Sequence, residues 1–361
     1  MSGPIRWGIL GGGNIARKFA RGLQSLTDAT LAAVASRSPE KLREFSTAYG
    51  VKRLYDTYES LVNDPQIDII YVATTNQLHG SNTSLCLKAG KCVLCEKPFT
   101  LSADEARLVI DLARQQRLFC MEAMWTRCLP LLQALPQLLK SGLIGDVRML
   151  KADFGSLPPF DKDNRFFNPA LGGGAMLDLG IYLLSLASYV LGPPESVVSQ
   201  ASIGTTGVDE QSAALLSYAS GRMAIVSCSL VTRLPTEAWI IGTRGQIRIH
   251  SPVHCPRELT LTTYPDLDGH VVSADKQAKG KPLSSLLGRV KRKLHSTRDT
   301  GVTSYPFEGN GYQFEAQEAM RCLRSGEIES PIMPLRETLE IMNTMDEIRR
   351  QWKPFPLQEV V

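Results

Sequence analysis

Several catalytic and binding motifs are missing from this 361-residue sequence, and each absence narrows its chemistry. There are only five histidines, and neither an H-E-x-x-H segment nor paired C-x-x-C segments occur, so we expect no metal site. No G-x-S-x-G segment is present, which leaves a hydrolase-type serine nucleophile without support. The eight cysteines follow no framework spacing, and we expect reduced, structural thiols.

Long apolar runs are also scarce. No stretch approaches the roughly 18 to 20 apolar residues that span a bilayer, and the first residues lack the basic-then-apolar pattern of a secretory signal. We therefore expect a cytoplasmic protein. A length of 361 residues predicts two domains, each with its own core.

The most informative feature that is present is a glycine-rich turn behind the apolar run 5–10. Its residues are Gly11, Gly12, Gly13, Asn14, Ile15 and Ala16. A G-x-G-x-x-A turn between a strand and a helix binds a dinucleotide diphosphate: Gly11 permits the tight turn, Gly13 lets the backbone approach the phosphates, and Ala16 keeps the helix close to the strand. The same turn occurs where nothing binds, so it predicts a cofactor only together with its context.

The end of the second predicted strand, 31–35, indicates which dinucleotide is bound. Ser36 and Arg37 stand where an NAD-binding protein usually carries an acid for the ribose 2′-hydroxyl. An arginine pairs with a 2′-phosphate through two hydrogen bonds, whereas a carboxylate repels it. The sequence therefore predicts NADP, with NAD as the alternative. A second interpretation is that Arg37 is a solvated loop residue.

Strands and helices alternate through residues 1–123, which predicts an α/β, Rossmann dinucleotide-binding domain. Ligands of open α/β sheets bind at the carboxyl ends of the strands. The side chains that the predicted strand ends place there, on the expected cofactor side, are Thr74, Asn76, His79, Glu96 and Lys97.

The pattern changes over residues 124–361, where short strand-like runs are separated by turns. Successive hairpins of this kind predict an α+β domain with a large, mostly antiparallel open sheet. Helices near 131–141, 175–191 and 311–325 would cover one face of this sheet and leave the other face free for a partner. A further helix near 335–350 would pack back on the first domain.

Four sequence blocks together resemble one known family. The blocks are the turn at 11–16, E-K-P at 96–98, M-E-A-M-W-T-R at 121–127 and D-L-G-I-Y at 178–182. In their order and spacing they resemble the glucose-fructose oxidoreductase and inositol dehydrogenase (GFO/IDH/MocA) family. The 121–127 block, and Tyr182 where many members carry histidine, resemble the branch of dimeric dihydrodiol dehydrogenases and NADP-dependent D-xylose 1-dehydrogenases. Thr75 departs from the proline that the family often has.

This resemblance implies an NADP-dependent oxidoreductase that moves a hydride to or from a carbinol carbon of an aldose or a cyclic trans-diol. It also implies a homodimer formed through the C-terminal sheet, and Trp125 and Phe154 as apolar walls of the substrate pocket. The alternative for both aromatic residues is a place in the core. Arg127, Arg148 and Arg165 are further candidate substrate contacts that the sequence does not rank.

The proton chemistry follows from the residue types. Hydride removal requires a base within reach of the hydroxyl proton, and Lys97 and Tyr182 are the candidates. The resemblance implies that both occupy one pocket, where an ammonium would bring the pKa of the tyrosine toward neutrality. Asp178 lies four residues before Tyr182 in a predicted helix, so both point from one face, and Asp178 can bind a substrate hydroxyl or orient Lys97. Alternatively, Asp178 is a first-turn helix charge and Tyr182 a core aromatic.

Two other functions stay open on the sequence alone. One is a redox-neutral sugar-modifying enzyme, acting by elimination or glycoside cleavage, that reduces its nicotinamide transiently; the other is a non-catalytic NADP-binding regulator. The segment 276–298 contains eight lysines and arginines and no acid. It predicts a basic amphipathic helix that touches an anionic surface, or else a surface insertion between strands. Nucleic acid is not expected, because no aromatic residues interleave with these charges.

Overall fold

A computed structural model describes residues 3–264 and 298–352. The basic segment 276–298 lies outside the described residues except for its last position. The first sheet has six parallel strands in the order β3-β2-β1-β4-β5-β6. Its strands are β1 (Ile5–Leu10), β2 (Ala29–Ala35), β3 (Arg53–Tyr55), β4 (Ile69–Val72), β5 (Cys92–Glu96) and β6 (Cys120–Ala123). The predicted Rossmann architecture is confirmed, and the strand order reverses between β1 and β4, where such sheets bind ligands.

Side chains cap three of the five helices that connect these strands. The five helices are α1 (Asn14–Gln24), α2 (Pro39–Tyr49), α3 (Tyr58–Val62), α4 (His79–Lys88) and α5 (Ala103–Gln116). The hydroxyls of Ser38, Thr57 and Ser102 accept hydrogen bonds from backbone amides in the first turns of α2, α3 and α5. By contrast, α1 starts at Gly13 with no side-chain cap.

The second sheet has eight strands in the order β14-β13-β12-β11-β7-β10-β9-β8. The strands are β7 (Val147–Gly155), β8 (Ser196–Ile203), β9 (Asp209–Tyr218), β10 (Arg222–Ser229), β11 (Ala238–Gly242), β12 (Gly245–Ile249), β13 (Glu258–Thr263) and β14 (Arg298–Ser304). Only β7 and β10 pair in parallel, so the expected mostly antiparallel sheet is confirmed. The sequence analysis missed β14, because this edge strand is largely polar and carries Gly301 at φ +80°.

Four further helices accompany this sheet: α6 (Pro130–Lys140), α7 (Ile181–Leu191), α8 (Tyr312–Ser325) and α9 (Leu335–Arg350). Helix α7 packs on β7 and β10, and α9 joins the two sheets by packing on α5, α7 and β8. The expectation that α8 covers the second sheet needs correction, since its largest contacts are with α1 and a 3₁₀ turn at Trp125–Cys128. Gly22 of α1 permits this approach, because a Cβ there would lie 2.9 Å from the backbone nitrogen of Gln313.

The opposite face of the second sheet carries exposed aliphatic side chains. Strand β9 alternates regularly, with Leu216 buried and Leu215 exposed. On the adjoining strands Val198 and Ile225 are also exposed, and we call Val198, Leu215 and Ile225 the outer sheet face.

One stretch corrects the expectation about apolar runs. The 23-residue stretch Pro169–Leu191, which is helical except at residues 172–174, is long and apolar enough to cross a membrane by length and composition. The glycines at 172–174 break the helix, with Gly172 at φ +75° and Gly174 at φ +122°. In the structure 78% of its most apolar window is buried inside the protein, as in the core helix of a soluble domain.

Candidate active site

The glycine-rich turn lies at the strand-order reversal, between β1 and α1. Gly11 has φ +115°, and a Cβ there would lie 2.5 Å from the carbonyl oxygen of Ala73 at the end of β4, so only glycine fits. A Cβ on Gly13 would meet nothing within 4 Å, which leaves open space before the uncapped start of α1. Ala16 is fully buried, while Asn14 is exposed and Ile15 half-buried. Open space at an uncapped helix N-terminus fits a diphosphate.

The end of β2 presents a hydroxyl and a guanidinium. Ser36 is buried, and its Oγ accepts a hydrogen bond from the amide of Ser38 at 3.2 Å. Arg37 is exposed, and its guanidinium lies 5.9 Å from the centre of the Tyr58 ring. None of the ion pairs among residues 3–264 and 298–352 includes Arg37, so its charge remains available to an anion.

The polar residues that follow β4 make hydrogen bonds to one another and to nearby backbone carbonyls. The imidazole of His79 is buried, with Nδ1 2.7 Å from the carbonyl oxygen of Pro98 and Nε2 3.2 Å from that of Thr74. Asn76 donates to the carbonyl oxygen of Gly172 at 2.9 Å, and Thr74 accepts from Asn82 at 3.1 Å. The side chain of His79 is therefore fully used in holding the loop.

An ion pair links the end of β5 in the first domain to Asp178 in the second. Lys97, directly after β5, donates from Nζ to the Asp178 carboxylate at 3.1 Å and to the Asp178 carbonyl oxygen at 2.8 Å. Arg165 donates to the same carboxylate oxygen at 2.7 Å. Asp178 is 4% exposed, so one buried carboxylate stands between two cations, one of them supplied by each domain.

Asp178 sits in a single π-helical turn, Met176–Gly180, rather than in the continuous α-helix that its spacing from Tyr182 predicted. Wide turns of this kind are rare and frequently occur at functional sites. Tyr182 follows in the first turn of α7, and the Lys97 ammonium lies 4.8 Å from its ring centre. Asp178, Tyr182 and Lys97 are therefore brought together as predicted, although the helical turn differs.

Aromatic rings surround the Tyr182 hydroxyl. Trp125 donates to this hydroxyl from Nε1 at 3.2 Å, and the rings of Phe154 and Tyr182 have their centres 5.8 Å apart. Phe154 also stacks face to face on His254, at 4.7 Å with 6° between the planes. Trp125 itself stacks on Tyr312 of α8 at 4.7 Å. Both predicted wall residues thus lie at this site, with two aromatic residues that the sequence analysis did not name.

The protonation states follow from burial and charge. Burial works against the ammonium of Lys97, but the Asp178 carboxylate, together with Tyr182 and Glu96, outweighs burial, so the pKa of Lys97 is raised. Burial acts to raise the pKa of Asp178, yet Lys97 and Arg165 outweigh burial and lower it to about 2. For Tyr182, burial raises the pKa above its ordinary 10.0 and Lys97 offsets this only in part. The expected shift of Tyr182 toward neutrality is therefore wrong in direction for the protein alone, because desolvation exceeds the attraction of the ammonium.

A second carboxyl group lies beside the motif lysine. Burial raises the pKa of Glu96 to about 7, although hydrogen bonds from the Tyr71 hydroxyl and the Lys97 amide lower it. Glu315 of α8 is fully buried, and neither of its carboxylate oxygens has a partner in the described residues. Burial and Glu96 raise the pKa of Glu315 well above its usual range. Glu315 therefore favours the protonated form, whereas Glu96 titrates near neutral pH.

Comparison with known proteins shows which family the chain belongs to. A model described as the oxidoreductase family with an NAD-binding Rossmann fold matches residues 5–124, and a GFO/IDH/MocA C-terminal domain model matches residues 132–248. The chain is also 34% identical over 350 residues to trans-1,2-dihydrobenzene-1,2-diol dehydrogenase of Macaca fascicularis, covering 96% of each protein. The chain belongs to the GFO/IDH/MocA oxidoreductase family.

Other relatives agree with this assignment. The human protein of the same name is 33% identical over 354 residues, with 96% of each chain covered. A 3-ketoreductase from Actinomadura kijaniata, solved with NADP and TDP-benzene, shares the fold with a TM-score of 0.80 at 22% identity, covering 98% of this chain and 100% of that one. The resemblance to the dihydrodiol dehydrogenase branch is confirmed.

The three candidate arginines of this GFO/IDH/MocA oxidoreductase lie in different surroundings. Arg127 is buried and binds Ser185 and Glu337, the latter at 2.6 Å, so it serves the packing of α7 and α9. Arg148 is exposed and lies 3.6 Å from Asp146. Only Arg165 of the three is bound to an active-site residue. No group of three or more potential His, Cys, Asp or Glu metal ligands occurs among the described residues.

Proposed function

We propose that the protein is an NADP-dependent dehydrogenase that oxidises a carbinol carbon of a cyclic trans-diol or an aldose. The observation that carries the proposal is the contact of Lys97 with Asp178 and with the ring of Tyr182, in a chain that also has the open glycine-rich turn. The relatives named trans-1,2-dihydrobenzene-1,2-diol dehydrogenase support the diol as substrate. The aromatic rings of Trp125 and Phe154 next to Tyr182 suit a flat ring as substrate.

The cofactor, when bound, supplies the hydride acceptor. The chain's own residues manage the hydroxyl proton that must leave at the same time. Lys97 stays an ammonium because Asp178 holds it, so it stabilises negative charge instead of taking the proton. The Tyr182 hydroxyl is then the group that exchanges a proton with the substrate oxygen. Its phenol form donates to a carbonyl during reduction, and its phenolate form accepts during oxidation.

The preference for NADP over NAD depends on the residues at the end of β2. Arg37 is exposed and unpaired in the described residues, and no carboxylate stands at positions 36 or 37. We expect Arg37→Ala to weaken NADP⁺ by about tenfold or more, the value of one charged hydrogen bond, with less effect on NAD⁺. Arg107→Ala on α5, an exposed arginine that belongs neither to the glycine-rich turn nor to the end of β2, is the matched control. Equal loss for the two cofactors would count against this role of Arg37.

The decisive experiment incubates the protein with NADP⁺ or NAD⁺ and a panel of trans-diols, aldoses, inositols and glycosides. Reduced nicotinamide and organic products are recorded together. Oxidised product with matching NADPH is the expected result. Product without net cofactor reduction would indicate a redox-neutral enzyme instead, and cofactor binding without any product would indicate a regulator.

The outer sheet face supports a second part of the proposal, a homodimer. Val198, Leu215 and Ile225 are 66%, 38% and 38% exposed on three adjoining strands, and a second copy would cover them. Leu215→Lys combined with Ile225→Lys should convert the dimer to a monomer in size-exclusion chromatography with light scattering. Leu108→Lys, at an exposed position on α5, is the control. A dimer that survives the double substitution would exclude this face.

A further inference from the structure

His254 occupies the aromatic wall of the active site although no sequence motif marks it. It lies in the irregular segment between β12 and β13, where its backbone carbonyl accepts a hydrogen bond from the Thr126 hydroxyl at 2.6 Å. Its ring stacks on Phe154 and has its centre 5.8 Å from that of Tyr182 and 6.2 Å from that of Trp125. The imidazole is therefore held against the residue proposed to exchange the substrate proton.

Packing alone does not explain a histidine at this position. Neither ring nitrogen has a hydrogen-bond partner within residues 3–264 and 298–352, and Nδ1 is buried. A phenylalanine would make the same stack without leaving a polar atom desolvated. Buried polar groups in folded proteins are almost always satisfied, so an unsatisfied one needs an explanation, and beside Tyr182 a substrate hydroxyl supplies one.

The imidazole of His254 is also neutral at neutral pH, which lets it bind a hydroxyl group. Burial first, and Lys97 second, lower the pKa of His254 to about 4. A neutral imidazole has one donor and one acceptor nitrogen, and a hydroxyl group likewise both donates and accepts. The His254 side chain is half-buried, so part of it remains exposed.

We propose that His254 hydrogen-bonds the second hydroxyl of the substrate, the one that is not oxidised, and so selects vicinal diols and polyols over mono-alcohols. This rests on the proposed function, because Tyr182 is taken to face the hydroxyl that reacts. Two groups on one wall with ring centres 5.8 Å apart can serve two adjacent hydroxyls of a single ring. His254 is thus a positioning and specificity residue.

The test compares trans-cyclohexane-1,2-diol with cyclohexanol, two ligands that differ by one hydroxyl. Binding of each to the enzyme–NADPH complex is measured by the change in NADPH fluorescence, a readout that needs no turnover. His254→Phe, which keeps the stack and removes both nitrogens, should weaken the diol about tenfold, or about 1.4 kcal/mol, and cyclohexanol less than about twofold. His254→Gln should restore part of the diol preference. His250→Phe, whose ring nitrogen bonds Thr260 at 2.8 Å, is the matched control.

The outcomes separate this inference from the proposed function. Equal weakening of both ligands by His254→Phe, or no preference for the diol in the wild type, would overturn the role of His254. NADP⁺ reduction by the diol is measured in parallel with the same proteins. Selective diol binding that depends on His254, without any NADP⁺ reduction, would support the binding role while rejecting the dehydrogenase.

Discussion

The substitution Tyr182→Phe tests the proton chemistry of the site most directly. Lys97 is bound to the Asp178 carboxylate at 3.1 Å and carbonyl at 2.8 Å, which keeps it charged and leaves the Tyr182 hydroxyl as the proton-exchanging group. Removing a general acid or base costs about 10² to 10⁴ in rate. This corresponds to about 3 to 5 kcal/mol in the activation barrier.

The same substitution has a separate and smaller effect on stability. The Nε1 group of Trp125 loses its acceptor at 3.2 Å, which costs about 1 to 3 kcal/mol in the free energy of unfolding. The ring itself should stay in place, because it keeps its contacts with Phe154, His254 and Lys97. Folded variant enzyme is therefore expected, with nearly normal NADPH binding.

The assay measures initial rates of NADPH formation with a trans-diol, NADPH binding by fluorescence, and unfolding by urea. Tyr189→Phe is the matched control, since it removes another tyrosine hydroxyl of α7 that donates to the Leu132 carbonyl at 3.2 Å, away from the site. We expect a turnover loss only in Tyr182→Phe. Turnover of this variant equal to that of the control would refute the assignment of Tyr182.

Three further predictions concern pH and charge. The rate of oxidation should rise about tenfold per pH unit at neutral pH, because the pKa of Tyr182 is raised and the phenolate is the reactive form; a flat profile of kcat/KM would contradict this. Asp178→Asn should lower the free energy of unfolding by about 3 to 5 kcal/mol at pH 7. Since the folded pKa of Asp178 is lowered to about 2 from 3.8, this difference should shrink as the pH falls through that range in urea titrations, and a constant difference would argue against it. Glu315→Gln should stabilise the protein at pH 8. The raised pKa of Glu315 means that the wild-type protein loses stability as the pH rises above 4.5, by up to about 1.4 kcal/mol per pH unit. Calorimetry should show that the stability gained by the substitution vanishes near pH 5.

Local sequence patterns predicted most of the framework. Apolar runs followed by glycine or polar residues placed five of the six strands of the first sheet but missed the short β3, and a glycine that cannot carry a Cβ marked the turn at Gly11. Lys97, Asp178 and Tyr182 were predictable because each belongs to a short motif. Their mutual contact, however, joins positions 81 and 85 residues apart and depends on how the two domains pack.

The parts that escaped prediction depend on tertiary surroundings. His254 lies in an irregular segment, so no periodicity distinguishes it from a surface residue. Glu315 follows an ordinary helical pattern, and only the neighbouring α1 and 3₁₀ turn make its position fully buried. The direction of the pKa shift of Tyr182 likewise depends on how much solvent its ring loses. Neither the burial of these side chains nor the resulting pKa shift can be predicted from the local sequence.

The main-chain contact between Lys97 and the π-helical turn has a consequence for redesigning this site. Because the carbonyl oxygen of residue 178 accepts one of the ammonium hydrogen bonds at 2.8 Å, half of the attachment is independent of which side chain occupies that position. Changes at position 178 can therefore vary the charge that Lys97 experiences while its location is retained. At residue 178 the main chain therefore helps to fix the position of Lys97, and the side chain sets the pKa of its ammonium.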